Sequence, residues 1–224
     1  MRGGTVSGPI ACLGLLVGLG CGPVLIPLPP PSPLAGESGP PLLRNQAQVE
    51  AGTSALAGST ILYNTVSGPL QARLGLGMGS NIELSVSGQG LGTAQGGGVE
   101  ATLFPIQGTQ GWLGAGLGFA VETVSPTEPA QISLIPSLHL QGGAQLLDRV
   151  SLGVLLRGTR STALGLAGGR LSGQSATWYW LEGGAGVIVT IEGPVFAGLW
   201  GGAIWTPGFP WAYASLSLGA RWSL

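Results

Sequence analysis

Leu70-Gln71-Ala72-Arg73-Leu74-Gly75-Leu76-Gly77-Met78 alternates without a break, with an apolar side chain on every even position and Gln, Arg or Gly on every odd one. A period of two is the repeat of an extended strand, whose successive side chains point to opposite faces. Gly79-Ser80 then supplies a tight turn. Ile82-Glu83-Leu84-Ser85-Val86-Ser87 resumes the alternation, so the two runs read as a hairpin.

The same device recurs in both directions along the chain. Leu113, Ala115, Leu117, Phe119 and Val121 alternate with Gly114, Gly116, Gly118 and Ala120. Val150, Leu152, Val154 and Leu156 alternate with Ser151, Gly153, Leu155 and Arg157. The last run sets Leu216, Leu218, Ala220, Trp222 and Leu224 against Ser215, Ser217, Gly219, Arg221 and Ser223. Ten candidate strands result, over residues 46–57, 69–78, 81–88, 97–104, 112–122, 131–141, 150–158, 176–191, 195–205 and 212–224. The first is weak and the third and fourth are short, so counts of eight and twelve stay open.

Charge decides which face meets what. The chain has 224 residues, of which 43 are Gly and only 8% are charged, with a net charge of −1. A soluble domain is typically about 25% charged. All eight basic residues are Arg, scattered rather than striped, and so excluded as a nucleic-acid surface. Within the candidate strands the charges are Glu50, Arg73, Glu83, Glu100, Glu122, Arg157, Glu182 and Arg221. Every one shares the parity of Gly and Ser. The other face is uniformly apolar and carries no charge. A soluble barrel shows the reverse, apolar within and polar without. The apolar face is therefore expected to meet hydrocarbon, where every backbone group must be paired by closing the sheet on itself.

Connections such as Gly79-Ser80, Pro105 to Gly111 and Glu192-Gly193-Pro194 are short, and those at 58–68, 123–130 and 159–175 are longer. Short turns at one end and long loops at the other, with a closing strand that ends on a bulky apolar residue, resemble small bacterial outer-membrane β-barrel proteins. The resemblance covers about residues 46–224, although the family usually ends in Phe rather than Leu224. It implies a closed antiparallel transmembrane barrel of about ten strands in a bacterial outer membrane, surrounded by outer-membrane lipid and accessible to other cell-envelope proteins. A structural, adhesive or complex-forming role through the extracellular loops would follow. The alternatives are a narrow pore for small solutes and a lipid esterase or deacylase. The longest loop, 159–175, carries Arg160 and Arg170, which suit anionic sugars or lipid phosphates.

Residues 1–20 read as an export signal, with Arg2 in the n-region and an apolar stretch from Ile10 to Gly20. Gly18-Leu19-Gly20-Cys21 resembles the lipobox of bacterial lipoproteins, with Gly18 where that family prefers Leu. This implies cleavage before Cys21 and its lipidation, and Gly22 favours the outer membrane as destination. Residues 21–45 hold eight of the 17 prolines, including Pro29-Pro30-Pro31. They read as a polyproline-II spacer between an anchor and the barrel that begins at 46.

Inside the barrel, Trp178, Trp180, Phe196, Trp200 and Tyr213 share a face with Gly184, Gly186, Gly198, Gly202 and Gly219, as when large rings cover a glycine row. A packed lumen is the leading expectation, with an aromatic ligand slot as alternative. Glu50, Arg73, Glu83, Glu100, Arg157, Glu182 and Arg221 are expected to form lumen ion pairs, since buried carboxylates need partners. Closure would bring Arg221 beside Glu50. Trp112, Tyr179, Trp205 and Trp222 are expected near strand ends, suited to an interfacial girdle. Trp211 is placed in the loop from Pro207, as a rim anchor.

Catalytic patterns are sparse. Ser137 and the single His139 share the inward face, which an esterase would use as nucleophile and base, but no acidic orienting partner is identifiable. One His and two Cys make no metal constellation. No catalytic residue, metal or cofactor is expected.

Overall fold

The structure is a computed structural model, and it describes residues 34–58, 70–91, 94–108, 110–124, 131–167, 170–206 and 211–224. The signal segment and Cys21 lie outside the described residues.

Ten strands form the wall: β1 (Gln46–Gly58), β2 (Leu70–Gly77), β3 (Ile82–Leu91), β4 (Ala94–Gln107), β5 (Gly111–Val124), β6 (Gln131–Leu147), β7 (Val150–Ala167), β8 (Arg170–Glu192), β9 (Val195–Trp205) and β10 (Trp211–Ser223). Each pairs antiparallel with its sequence neighbours, and β1 pairs with β10, so the barrel is closed. Closure runs the full length of both strands, from Gln46 opposite Ser223 to Gly58 opposite Trp211. The even count brings both ends of the wall to the same rim. There the Leu224 N–H donates to the Asn45 carbonyl at 2.7 Å.

Alternation sets the two faces as the sequence implies. Along β10, Ser215 and Ser217 are buried, whereas Leu216 and Leu218 are 58% and 61% exposed. Leu117, Leu138, Leu199 and many others lie equally bare on the outside. Glu50, Arg73, Glu83, Glu122, Arg157 and Glu182 are buried on the inside.

Four expectations need correction. First, 159–175 is not a loop. β7 and β8 continue to Ala167 and from Arg170, so they rise as a long hairpin. Arg160 sits on its outer face opposite Tyr179, and Arg170 pairs with Ala167 near its tip. Arg160, Thr162, Ser175 and Thr177 interrupt the apolar outer row there, which makes the alternation hard to read. Second, β4 runs through Pro105 to Gln107 by a register shift between Leu103 and Ile106, which suits a residue with no N–H. Third, Trp112 and Trp211 are buried rather than at an outer girdle or rim. Trp112 shares the inward parity of Gly114, and Trp211 begins β10 rather than ending a loop. Tyr179, Trp205 and Trp222 do face outward.

The fourth correction concerns the Pro-rich spacer. Its last residues, from Leu34 to Leu42, are inside the barrel. Leu34 and Leu42 are buried, and a short 3-10 turn at Ala35–Ser38 packs against β6 to β10. The segment then turns into the wall through Arg44 and Asn45. Asn45 adopts a left-handed backbone at φ 60°, which Asn tolerates better than most residues. The Gln46 N–H donates to the Leu43 carbonyl at 3.0 Å and closes that turn. Polyproline residues make no ladder, but a lumen needs none. It needs only polar partners for the backbone groups that enter it.

Candidate functional site

The lumen holds every buried charge described above, and two features of the sequence built it. Period-two alternation sends charged and small residues inward. Glycine then leaves room, on one side for rings and on the other for the internal segment.

The ring side lies on β8, β9 and β10. Trp180, Phe196, Trp200 and Tyr213 form one buried cluster with Leu155, Ile188, Ile204 and Trp211, and Trp178 packs against it. Trp200 Nε1 donates to the Tyr213 hydroxyl at 2.9 Å. A Cβ on Gly186 would strike the Trp200 ring, and one on Gly219 the Phe196 ring. The glycine row is thus the floor on which the rings lie, and the cluster is packed rather than open as an aromatic slot.

On the other side, a Cβ on Gly77 would meet the Leu43 carbonyl, and one on Gly75 would lie 3.0 Å from Leu42. On Gly52 it would come 2.9 Å from Leu34. These wall glycines make room for the internal segment, which is held by charge. Glu50 Oε1 accepts the Gly36 N–H at 2.9 Å. Glu83 Oε2 accepts the Leu42 N–H at 3.1 Å. Arg221 Nη2 donates to the Pro40 carbonyl at 2.8 Å. Glu37, the one charged side chain of the segment between Leu34 and Leu43, ion-pairs with Arg157.

Several expected wall-to-wall pairs also form. Arg73 Nη2 bonds Glu83 Oε1 at 2.5 Å. Arg157 reaches Glu100 at 3.1 Å and Glu182 at 3.5 Å. Arg221 does not join Glu50. Its register partner on β1 is Gln48, whose Oε1 it contacts at 2.7 Å. Glu50 instead lies opposite Arg73 in the strand register and turns its carboxylate to the internal segment. Glu122 is bonded by Gln89.

Sequence reasoning missed Gly36, Glu37, Pro40 and Leu42 as lumen residues. One signal was present: Glu37 is a lone acid among prolines and small residues, where a solvated spacer would carry more charge. His139 is also accounted for. Its Nε2 lies 2.9 Å from the Thr102 hydroxyl, not on Ser137, and no carboxylate orients its ring. Among the described residues, no group of three or more His, Cys, Asp or Glu is placed to hold a metal.

An apolar exterior, a fully paired closed sheet and a charged, filled lumen define the class: this is a transmembrane β-barrel of the bacterial outer-membrane kind. No protein-family model matches the chain, and no curated protein matches it in sequence. Solved barrels are similar in outline. Ail, the attachment invasion locus protein of Yersinia pestis, superposes with a TM-score of 0.40 at 10% identity, over 80% of this chain and 100% of that one. The N-terminal β-barrel domain of Pseudomonas aeruginosa OprF gives 0.40 at 11% identity, over 80% and 98%. Omp33 of Acinetobacter baumannii gives 0.38 at 8%, over 81% and 99%. The class rests on the wall of this chain, not on those likenesses.

The lipid face makes a direct prediction. Leu216→Arg, near the middle of β10 on the outside, should destabilise the barrel in lipid by about 2–4 kcal/mol, whereas Leu224→Arg, on the same face just past the strand end, should cost about 0–1 kcal/mol. Urea titration in lipid vesicles measures both. Equal effects would place the membrane elsewhere on the wall.

Proposed function

We propose that this protein is a non-enzymatic outer-membrane barrel, stoppered from within. It would act through the end opposite its termini in a structural, adhesive or envelope-complex role. The observation that carries this reading is the grip of Glu50, Glu83, Arg157 and Arg221 on residues 36–42. A barrel built for free passage has no use for a peptide bonded at four points along its lumen. Around eight strands give an interior that side chains alone fill, and porins of sixteen to eighteen strands leave an aqueous channel. Ten strands leave a gap of the size one extra chain segment fills.

The surface offered to partners is the β7–β8 hairpin with its neighbouring loops. Arg160 and Tyr179 mark where the hairpin leaves the apolar band, since aromatic and basic side chains suit the lipid headgroup level. Lipidation at Cys21 would add a second attachment to the membrane. It is tested by lipid labelling, which Cys21→Ser should abolish while the barrel still folds.

The full chain should fractionate with outer membranes and migrate faster on gels unheated than boiled. In planar bilayers it should stay silent. Reproducible single-channel steps from the intact chain would overturn the stoppered reading in favour of the narrow pore. Recovery as a soluble monomer without detergent would remove the membrane altogether. Loss of a measured acyl-ester hydrolysis on Ser137→Ala would establish the esterase instead.

A further inference from the structure

Above the internal segment, toward the end opposite the termini, the lumen opens into a cavity of about 640 Å³ including its mouth. Its lining contains polar atoms that have no partner. Gln71, buried on β2, has neither its amide nitrogen nor its amide oxygen bonded. Gln89 lies directly opposite it on β3, with its nitrogen on Glu122 and its oxygen free. Four strands further round, the hydroxyl of Thr159 on β7 is buried and unbonded beside its register partner Ser137 on β6. Leu34 and Ile135 supply an apolar floor.

Unbonded buried polar atoms occur at several places in the lumen, and those of Gln71, Gln89 and Thr159 line this one cavity. They also have a definite chemistry. Gln71, Gln89 and Thr159 are neutral, and the charged side chains that also line the cavity balance two against two, Arg73 and Arg157 against Glu37 and Glu100, with Arg73 Nε and Nη1 unbonded. Gln71 Nε2 needs an acceptor. Gln71 Oε1 and Gln89 Oε1 need donors, and the Thr159 hydroxyl serves either way. A hydroxyl group answers each of these needs, and a ring bearing several spans from one patch to the other while resting a C–H face on Leu34 and Ile135. A carboxylate brings only acceptors and an ammonium only donors.

We propose that this cavity is a binding site for a small neutral hydroxyl-rich solute of pyranose size, gripped by Gln71 and Gln89 on one side and by Thr159 and Ser137 on the other. The proposal goes beyond the stoppered-barrel reading and does not need the lumen to conduct.

Equilibrium dialysis of labelled glucose against the refolded full chain in detergent micelles tests it, with glucuronate and glucosamine as anionic and cationic counterparts. Glucose should bind saturably and at least tenfold more tightly than either charged sugar. Gln71→Leu and, separately, Thr159→Val should each weaken binding about tenfold, with fast unheated gel migration retained as proof of folding. Should one variant fail to fold, the other still decides. No saturable glucose binding, equal binding of the charged sugars, or full binding by a folded variant would overturn the site. If Gln71→Leu instead raises the urea midpoint and leaves binding untouched, the cavity is only a packing defect.

Discussion

Deleting residues 34–43 should turn a silent barrel into a conducting one. The deletion leaves β1 intact, because the wall starts at Gln46. It removes Leu34 and Leu42 from the lumen and frees Glu50, Glu83, Arg157 and Arg221 from the bonds they make to the segment. Those wall groups stay partly neutralised among themselves, since Arg73 still pairs with Glu83 and Arg157 with Glu100 and Glu182. Water can therefore enter without leaving bare charge. Discrete current steps in planar bilayers are the expected result, against none for the intact chain. The ring cluster on β8–β10 stays in place, so the steps should be small. If the deleted protein folds and remains silent, the wall side chains alone close the lumen and the segment is ballast.

The second large effect is expected at Arg157. One guanidinium stands among Glu37, Glu100 and Glu182, two of them on other strands of the wall and one on the internal segment. Arg157→Met keeps much of the volume and removes the charge. Breaking a buried pair by deleting one partner is worth about 3–5 kcal/mol, because the carboxylates left behind have no counter-charge. The urea midpoint should fall accordingly. Adding Glu182→Gln should recover part of the loss, and the non-additivity of the double-mutant cycle reads their coupling. A change under about 1 kcal/mol for Arg157→Met, the level of an exposed pair, would mean that water already screens the cluster.

Both effects depend on residues that the sequence revealed very unequally. Arg157 was legible: it sits at a fixed parity in an alternating run, and the absence of charge on the other parity assigns it to the lumen. The wall was legible for the same reason, since a lipid-facing strand has to alternate. Glu37, Pro40 and Leu42 were not. The internal segment is bonded mainly through its backbone, by Gly36 N–H, Leu42 N–H and the Pro40 carbonyl. Backbone bonding imposes no side-chain pattern, so nothing periodic announces it. The β7–β8 hairpin was lost from view for a related reason. Beyond Arg160 the outer row mixes Thr162, Ser175 and Thr177 with Leu164, Leu166 and Leu171, and an alternation so broken looks like a loop. Trp112 was misplaced because proximity to a strand end outweighed its parity.

The bond from Leu224 to Asn45 also constrains the order of events in assembly. β1 waits for β10, so the pairing that seals the wall spans nearly the whole chain, the slowest kind of contact to form. Until then both outer strands are open edges that invite wrong partners. The segment that fills the lumen lies directly ahead of β1 and turns into it at Asn45, the residue that β10 finally bonds. The stopper turns inward at the rim where that seam closes, so the bond that completes the wall also holds the base of the stopper in place.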